Sequence, residues 1–118
     1  MVKIIGLLKK KQGMSTADFR AYYESHHAPL ATRLLPPGAD YRRSYPNVVR
    51  IEGKEVEGEP EFDAVSEVWF VDRASYEAFA ETMQDPNNRA AIVEDEARFA
   101  ERAATRIMVV EEHRSPVQ

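Results

Sequence analysis

Three short segments of this chain, residues 2–8, 62–71 and 107–110, carry apolar residues at both odd and even positions. They are too short and too β-branched for buried helices, so they are strands, and both faces of the sheet they build need a cover. The intervening segments say what supplies one of the two covers. Ser15 is placed as an N-cap, with Asp18 in the capping-box position, and a helix follows from Thr16. At about 100° per residue Phe19, Tyr23, His26 and Leu30 fall within about 40° of one another, with Tyr22 and His27 flanking that stripe. Pro29 kinks or ends the helix nearby, and Pro36-Pro37-Gly38 terminates it. A second strand is expected over residues 40–51, interrupted at Pro46, and the acidic, Gly-containing stretch 53–61 is expected as a loop. Asp72 caps a helix carrying Tyr76, Phe79, Ala80 and Met83; Asp85-Pro86 breaks it, and a further helical stretch holds Ala91, Ile92, Asp95 and Phe99. The last strand covers residues 105–112.

The order β-α-β-β-α-β is that of the split βαβ, ferredoxin-like sheet: an α+β fold, four antiparallel strands with both helices on one face. The other face is left apolar, and exposed patches of that size are rare on monomers. A second copy of the sheet is the economical cover, so a homodimer is expected. Residues 1–113 form a single domain and 114–118 a short tail.

Composition removes several classes of function. With 118 residues, 43 % hydrophobic and 31 % charged, the chain suits one soluble globular domain. It has no apolar run near 18 residues, so no membrane association is expected. The short apolar start is followed at once by Lys9-Lys10-Lys11, a poor signal peptide, and a cytoplasmic location is the default. Cysteine is absent, which excludes disulfides, Cys-bound zinc, iron–sulfur clusters and thiol catalysis. The charge is uneven: residues 1–50 hold nine basic and three acidic side chains, residues 51–118 seven and seventeen. A pI of about 5.4 and a lone lysine triplet argue against nucleic acid. No Gly-rich phosphate loop, Ser-centred elbow or kinase signature occurs. His26 and His27, pointing about 100° apart on a helix, are badly placed to share a metal ion, and no metal or cofactor is expected.

Three blocks resemble one family. They are Met14-Ser15-Thr16-Ala17-Asp18-Phe19-Arg20-Ala21-Tyr22-Tyr23 with His26-His27-Ala28-Pro29-Leu30, then Asp63-Ala64-Val65-Ser66-Glu67-Val68-Trp69-Phe70, then Glu94-Asp95-Glu96-Ala97-Arg98-Phe99. In this order they look like the EthD-domain family, and they span most of the chain. The resemblance implies the dimeric α/β-barrel fold, in agreement with the strand argument, but no single reaction. Relatives include proteins of ether-degradation gene clusters, muconolactone-type ring isomerases, and small dehydratases or cyclases of polyketide pathways. The family's recurrent histidine is the one before Ala-Pro, which is His27; some isomerase relatives use the preceding position, which is His26. Tyr41 matches a recurrent tyrosine near the family's pocket. In some isomerising relatives a cysteine follows the glutamate that corresponds to Glu67; here Val68 stands there, so a mechanism needing that thiol is excluded.

The chemistry available follows from these residues. A histidine titrates near neutrality and serves as general base or acid in enolisation, dehydration or isomerisation. The helical wheel favours His26 and the family pattern His27; either is equally a helix-terminal residue bonded to backbone carbonyls. Tyr41 could hold a substrate carbonyl or enolate, or be an edge-strand aromatic with a wet hydroxyl. Glu67, amid apolar neighbours, needs an arginine partner or a functional task. Phe19, Tyr23, Trp69 and Phe70 are core residues of which a subset can line a small-molecule pocket. Two readings of function stand. One is a small cofactor-independent enzyme moving a proton on an aromatic, lactone or polyketide-like molecule. The other is a non-catalytic binding or accessory dimer of a degradation pathway. Haem degradation or quinol oxidation, as in other dimeric α/β barrels, is a third option.

Overall fold

A computed structural model describes residues 2–118; Met1, the first residue of the expected domain, lies outside the described residues. The elements are β1 (Val2–Leu8), α1 (Thr16–Tyr22), a π-helical turn (Tyr23–His27), α2 (Ala28–Leu34), β2 (Asp40–Ser44), β3 (Arg50–Ile51), β4 (Lys54–Glu55), β5 (Ala64–Trp69), α3 (Arg73–Gln84), α4 (Pro86–Phe99), a 3₁₀ turn (Arg102–Ala104) and β6 (Arg106–Glu111). Strands β2, β5, β1 and β6 lie side by side in that order, every pairing antiparallel. This is the ferredoxin-like α+β sheet that the element order implies.

The caps act where the sequence places them. The Ser15 side chain accepts from the Asp18 amide, and Asp72 accepts from the Ser75 amide. Asp85 ends α3 and caps α4, accepting from the amides of Asn87 and Asn88. Pro36-Pro37-Gly38 closes α2 and turns the chain into β2. Gly38 has φ +84°, and a Cβ there would sit 2.7 Å from Val71 Cγ1. An L side chain is strained twice over, so Gly38→Ala should cost about 1–2 kcal/mol. A thermal melt reads that as a fall of several degrees.

Three expectations differ from the structure. The strand expected over 40–51 stops at Ser44, because Pro46 cannot continue the ladder. Residues 50–55, partly in the expected loop, form the small β3–β4 hairpin, with Arg50 opposite Glu55. The loop beyond it is pinned: Lys10 Nζ lies 2.8 Å from Glu59, and Lys9 Nζ donates to the Pro60 carbonyl at 2.8 Å. Third, Pro29 does not end the first helical run; it sits in the first turn of α2, and the departure from α geometry expected nearby falls in the π-helical turn just before it.

That run changes register just before Pro29. The Ala28 amide bonds back to the Tyr23 carbonyl, five residues earlier, and the turn is π-helical. The wider turn brings His27 to the face occupied by Phe19 and Tyr23 and leaves His26 in solvent. This corrects the ideal wheel, which centres His26. The core gathers beneath: Phe19, Tyr23 and Phe99 are 0–1 % exposed and packed with Leu8, Ala28 and Ala64. Phe70 lies apart with Tyr76 and Phe79.

The register fixes which strand residues face the helices. Ile4, Leu8, Ser66, Val68 and Tyr41 share that face. Lys3, Ile5, Leu7, Val65, Glu67 and Trp69 share the other.

Candidate functional site

Between the helices and the sheet lies a cavity of about 240 Å³, just below the about 300–1,000 Å³ of drug-sized sites. Its wall is mainly aliphatic and aromatic, with contributions from β1, α2, α3 and α4. The polar side chains on it are His27, Tyr23, Tyr41, Ser66, Glu96 and Thr105.

His27 is 6 % exposed. Its Nδ1 is 2.9 Å from Asp95 Oδ2, and Asp95 itself is buried. A carboxylate only accepts, so the proton of this bond sits on Nδ1, and in the neutral ring the lone pair is on Nε2. Asp95 is held in turn: Tyr22 donates to Oδ1 at 2.6 Å, and Arg98 stands 3.9 Å away. The His27 ring leans on Phe99 at 4.9 Å and meets Tyr23 edge-on at 5.5 Å. Packing and two hydrogen bonds therefore set the orientation of the imidazole.

The second polar group is a pair of phenols. Tyr23 and Tyr41 bring their hydroxyls to 2.9 Å. One O–H is spent between them, so the pair keeps one proton to donate. Burial pushes both hydroxyls above the ordinary phenol range, so both stay protonated. Behind them Arg43 lies over the Tyr41 ring at 4.9 Å and holds Glu24 through two bonds of 2.9 and 2.7 Å. Arg43 keeps the Glu24 carboxyl below its usual range, and Tyr45 also donates to it. This network lies on the β2 edge and fixes the rim on that side.

The structure separates the other sequence candidates. His26 is exposed, stacked on Tyr22 at 4.5 Å, with Nδ1 2.8 Å from Ser25 Oγ. Of Phe19, Tyr23, Glu67, Trp69 and Phe70, Tyr23 lines the cavity. Phe19 and Phe70 are buried in packed aromatic clusters that leave no open surface. Glu67 and Trp69 point to the opposite face, because β5 alternates and Ser66 and Val68 take the helix side. The partner of Glu67 is Lys3, at 2.6 Å, rather than an arginine. Lys3 also binds Glu112 at 2.7 Å and lies over Trp69, whose Nε1 donates to Glu112.

Sequence reasoning noted Asp95 only as a helical position and missed its bond to His27. Its signal was a carboxylate at the spacing Ala91, Asp95, Phe99, on the stripe that packs inward. Among the described residues no group of three or more His, Asp or Glu is placed to hold a metal ion, and no helix is long and apolar enough to cross a membrane.

The comparisons agree with this architecture. An EthD family protein from Bacillus halodurans is 25 % identical over 96 % of this chain and 99 % of its own, with a TM-score of 0.65. A dimeric ferredoxin-like protein from Thermobifida fusca is 12 % identical over 92 % of this chain and 88 % of its own, at 0.51. SnoaB, a cofactor-independent oxygenase from Streptomyces nogalater, is 14 % identical over 97 % and 94 %, at 0.50. The last two likenesses are of fold. No curated protein matches the chain. Residues 11–103, which hold the His27–Asp95 pair and both phenols, match the EthD domain, and the chain belongs to that family.

Proposed function

We propose that this protein is a small cofactor-independent enzyme that moves a proton on an aromatic, lactone or polyketide-like molecule held in the cavity. The observation that carries the reading is the His27–Asp95 bond beside an apolar cavity. With its Nδ1–H given to Asp95, His27 presents the basic Nε2 to a ligand. That nitrogen takes a proton from carbon next to a carbonyl, and the electron pair moves to the carbonyl oxygen. The free O–H of the Tyr23–Tyr41 pair donates to the resulting enolate. Returned from the imidazolium to another carbon the proton completes an isomerisation; given to a departing hydroxyl it completes a dehydration. SnoaB, described as a cofactor-independent oxygenase, supports the view that this fold hosts chemistry without a cofactor.

Proton exchange into D₂O at the α-carbon of 2-tetralone, followed by NMR, tests this. The protein should accelerate exchange. His27→Gln should lower that rate by about 10²–10⁴, the usual worth of a general base. His26→Ala, altering an exposed ring, should leave it within a factor of two or so. Saturable binding with no exchange in the unaltered protein would favour the accessory, non-catalytic reading instead.

The face of the sheet away from the helices is assigned to a second copy. Ile5, Leu7, Val65 and Val110 are only half-buried there, and Met108 is 41 % exposed. Such a patch favours apolar association, as the dimeric relative illustrates. Light scattering should show a dimer from low salt to about 1 M, where screening is reduced to about 3 Å. Dissociation on adding salt would shift the weight to charges such as Lys3, Glu67 and Arg42; a monomer throughout would remove the dimer.

A further inference from the structure

The cavity wall contains one carboxylate and, among the described residues, no lysine or arginine. The carboxylate is Glu96, on α4, one residue after Asp95. Its counter-ion comes from outside: Arg102 Nε is 3.2 Å from Glu96 Oε2, and the Arg102 side chain is 48 % exposed. Tyr23, Tyr41 and Ser66 carry hydroxyls that can donate, while Thr105 gives its own to the Glu101 carbonyl at 3.1 Å. Glu96 only accepts. A ligand filling this cavity therefore meets donors from the phenol pair and an anionic acceptor on α4. A carboxylate on the ligand would be stripped of water beside Glu96, with no lysine or arginine in the wall to receive it.

Resting on the reading above for the site, we propose that Glu96 sets substrate class: the cavity takes an uncharged, polyhydroxylated aromatic or polyketide-like molecule, one of whose hydroxyls donates to Glu96, and it rejects carboxylated ones. Lactone acids are thereby excluded from the broad set of substrates that the fold alone allows. The Arg102 contact holds the Glu96 carboxylate in place from the solvent side and leaves an oxygen lone pair to the ligand.

Calorimetric titration of three probes of one shape tests this: 2,7-dihydroxynaphthalene, 2-naphthol and 2-naphthoate. The unaltered protein should bind the diol tightest and 2-naphthoate at least tenfold more weakly than 2-naphthol. Glu96→Gln keeps the shape and removes the charge. It should bind 2-naphthoate about tenfold better and the diol about tenfold more weakly, the scale of one charge-assisted hydrogen bond. Glu96→Gln also frees Arg102, so the double variant Glu96→Gln/Arg102→Gln is measured beside it. A gain for 2-naphthoate that persists in the double variant supports rejection by Glu96; a gain that vanishes assigns it to the released Arg102 and overturns the proposal. Equal binding of 2-naphthol and 2-naphthoate by the unaltered protein overturns it without any variant, as does failure to bind all three. The two readings fail separately. Equal binding of 2-naphthoate with His27-dependent exchange intact removes the selectivity alone. Selectivity with no exchange removes the catalysis alone.

Discussion

Asp95→Asn should lower the rate of α-proton exchange by about 10²–10⁴ while leaving the fold and ligand binding in place. The amide is nearly isosteric, and its oxygen can still accept from Tyr22, 2.6 Å away. Its NH₂ then faces His27 Nδ1, where the carboxylate oxygen stood at 2.9 Å. An NH₂ donates, so Nδ1 becomes the acceptor and the ring proton moves to Nε2. Nε2, the nitrogen that Asp95 does not hold, then has no lone pair, and the base is lost although every atom is close to its place. Asp95→Glu should recover part of the rate, since it restores an acceptor. A purely structural Asp95 predicts the reverse: thermal stability falls in the asparagine variant and the rate per folded molecule does not. Asp95 is thus a positioning residue, and the rate and pH profile of exchange are its readout.

Phe99→Ala should be the most destabilising of the core changes, at about 3–5 kcal/mol. The ring is 0 % exposed, and it stands 5.5 Å from Phe19, 5.3 Å from Tyr22 and from Tyr23, and 4.9 Å from His27. Both terms of the cost apply: lost transfer of the ring, and a void that four rigid rings cannot collapse into. With total stabilities of about 5–15 kcal/mol, such a loss leaves a marginal protein. Urea unfolding reads it as a lower midpoint at unchanged slope. Phe99→Leu, which keeps most of the volume, should lose much less. The same substitution should loosen His27, because Phe99 and Asp95 lie one turn apart on α4 and grip the ring from two sides.

The strands of the main sheet, apart from the far end of the second, and most helix caps and breaks were legible because each rests on local chemistry. Ser15 and Asp72 cap where short oxygen side chains precede a helix, Asp85-Pro86 breaks one helix from the next, and Pro36-Pro37-Gly38 ends a run that cannot continue. The βαββαβ order then admits few sheets. What escaped was long-range or depended on departures from ideal geometry. The π-helical turn at Tyr23–His27 has no signature in an ideal wheel, so the choice between His26, which the wheel favours, and His27 stayed open until the structure buried His27. The His27–Asp95 bond joins residues 68 apart, and Tyr23–Tyr41 joins two elements through a turn; neither is visible in spacing. The period of two already sets Glu67 and Trp69 opposite Ser66 and Val68, but only the fold says which of the two faces meets the helices and the cavity. The charge split has a local outcome as well. Several basic residues of the first half find carboxylates within the chain, as in Lys3 with Glu67, Lys10 with Glu59 and Arg50 with Glu55.

The central claim is that Asp95 holds the proton of His27 on Nδ1 and leaves Nε2 to a ligand in the cavity. Nitrogen-15 NMR of the histidine side chains, recorded with and without saturating 2-naphthol, reads this directly. His27 should be in its Nδ1–H form in the unliganded protein, and ligand should move the Nε2 signal while leaving His26 and His113 unchanged. A His27 carrying its proton on Nε2, or an Nε2 signal indifferent to bound ligand, would contradict the account.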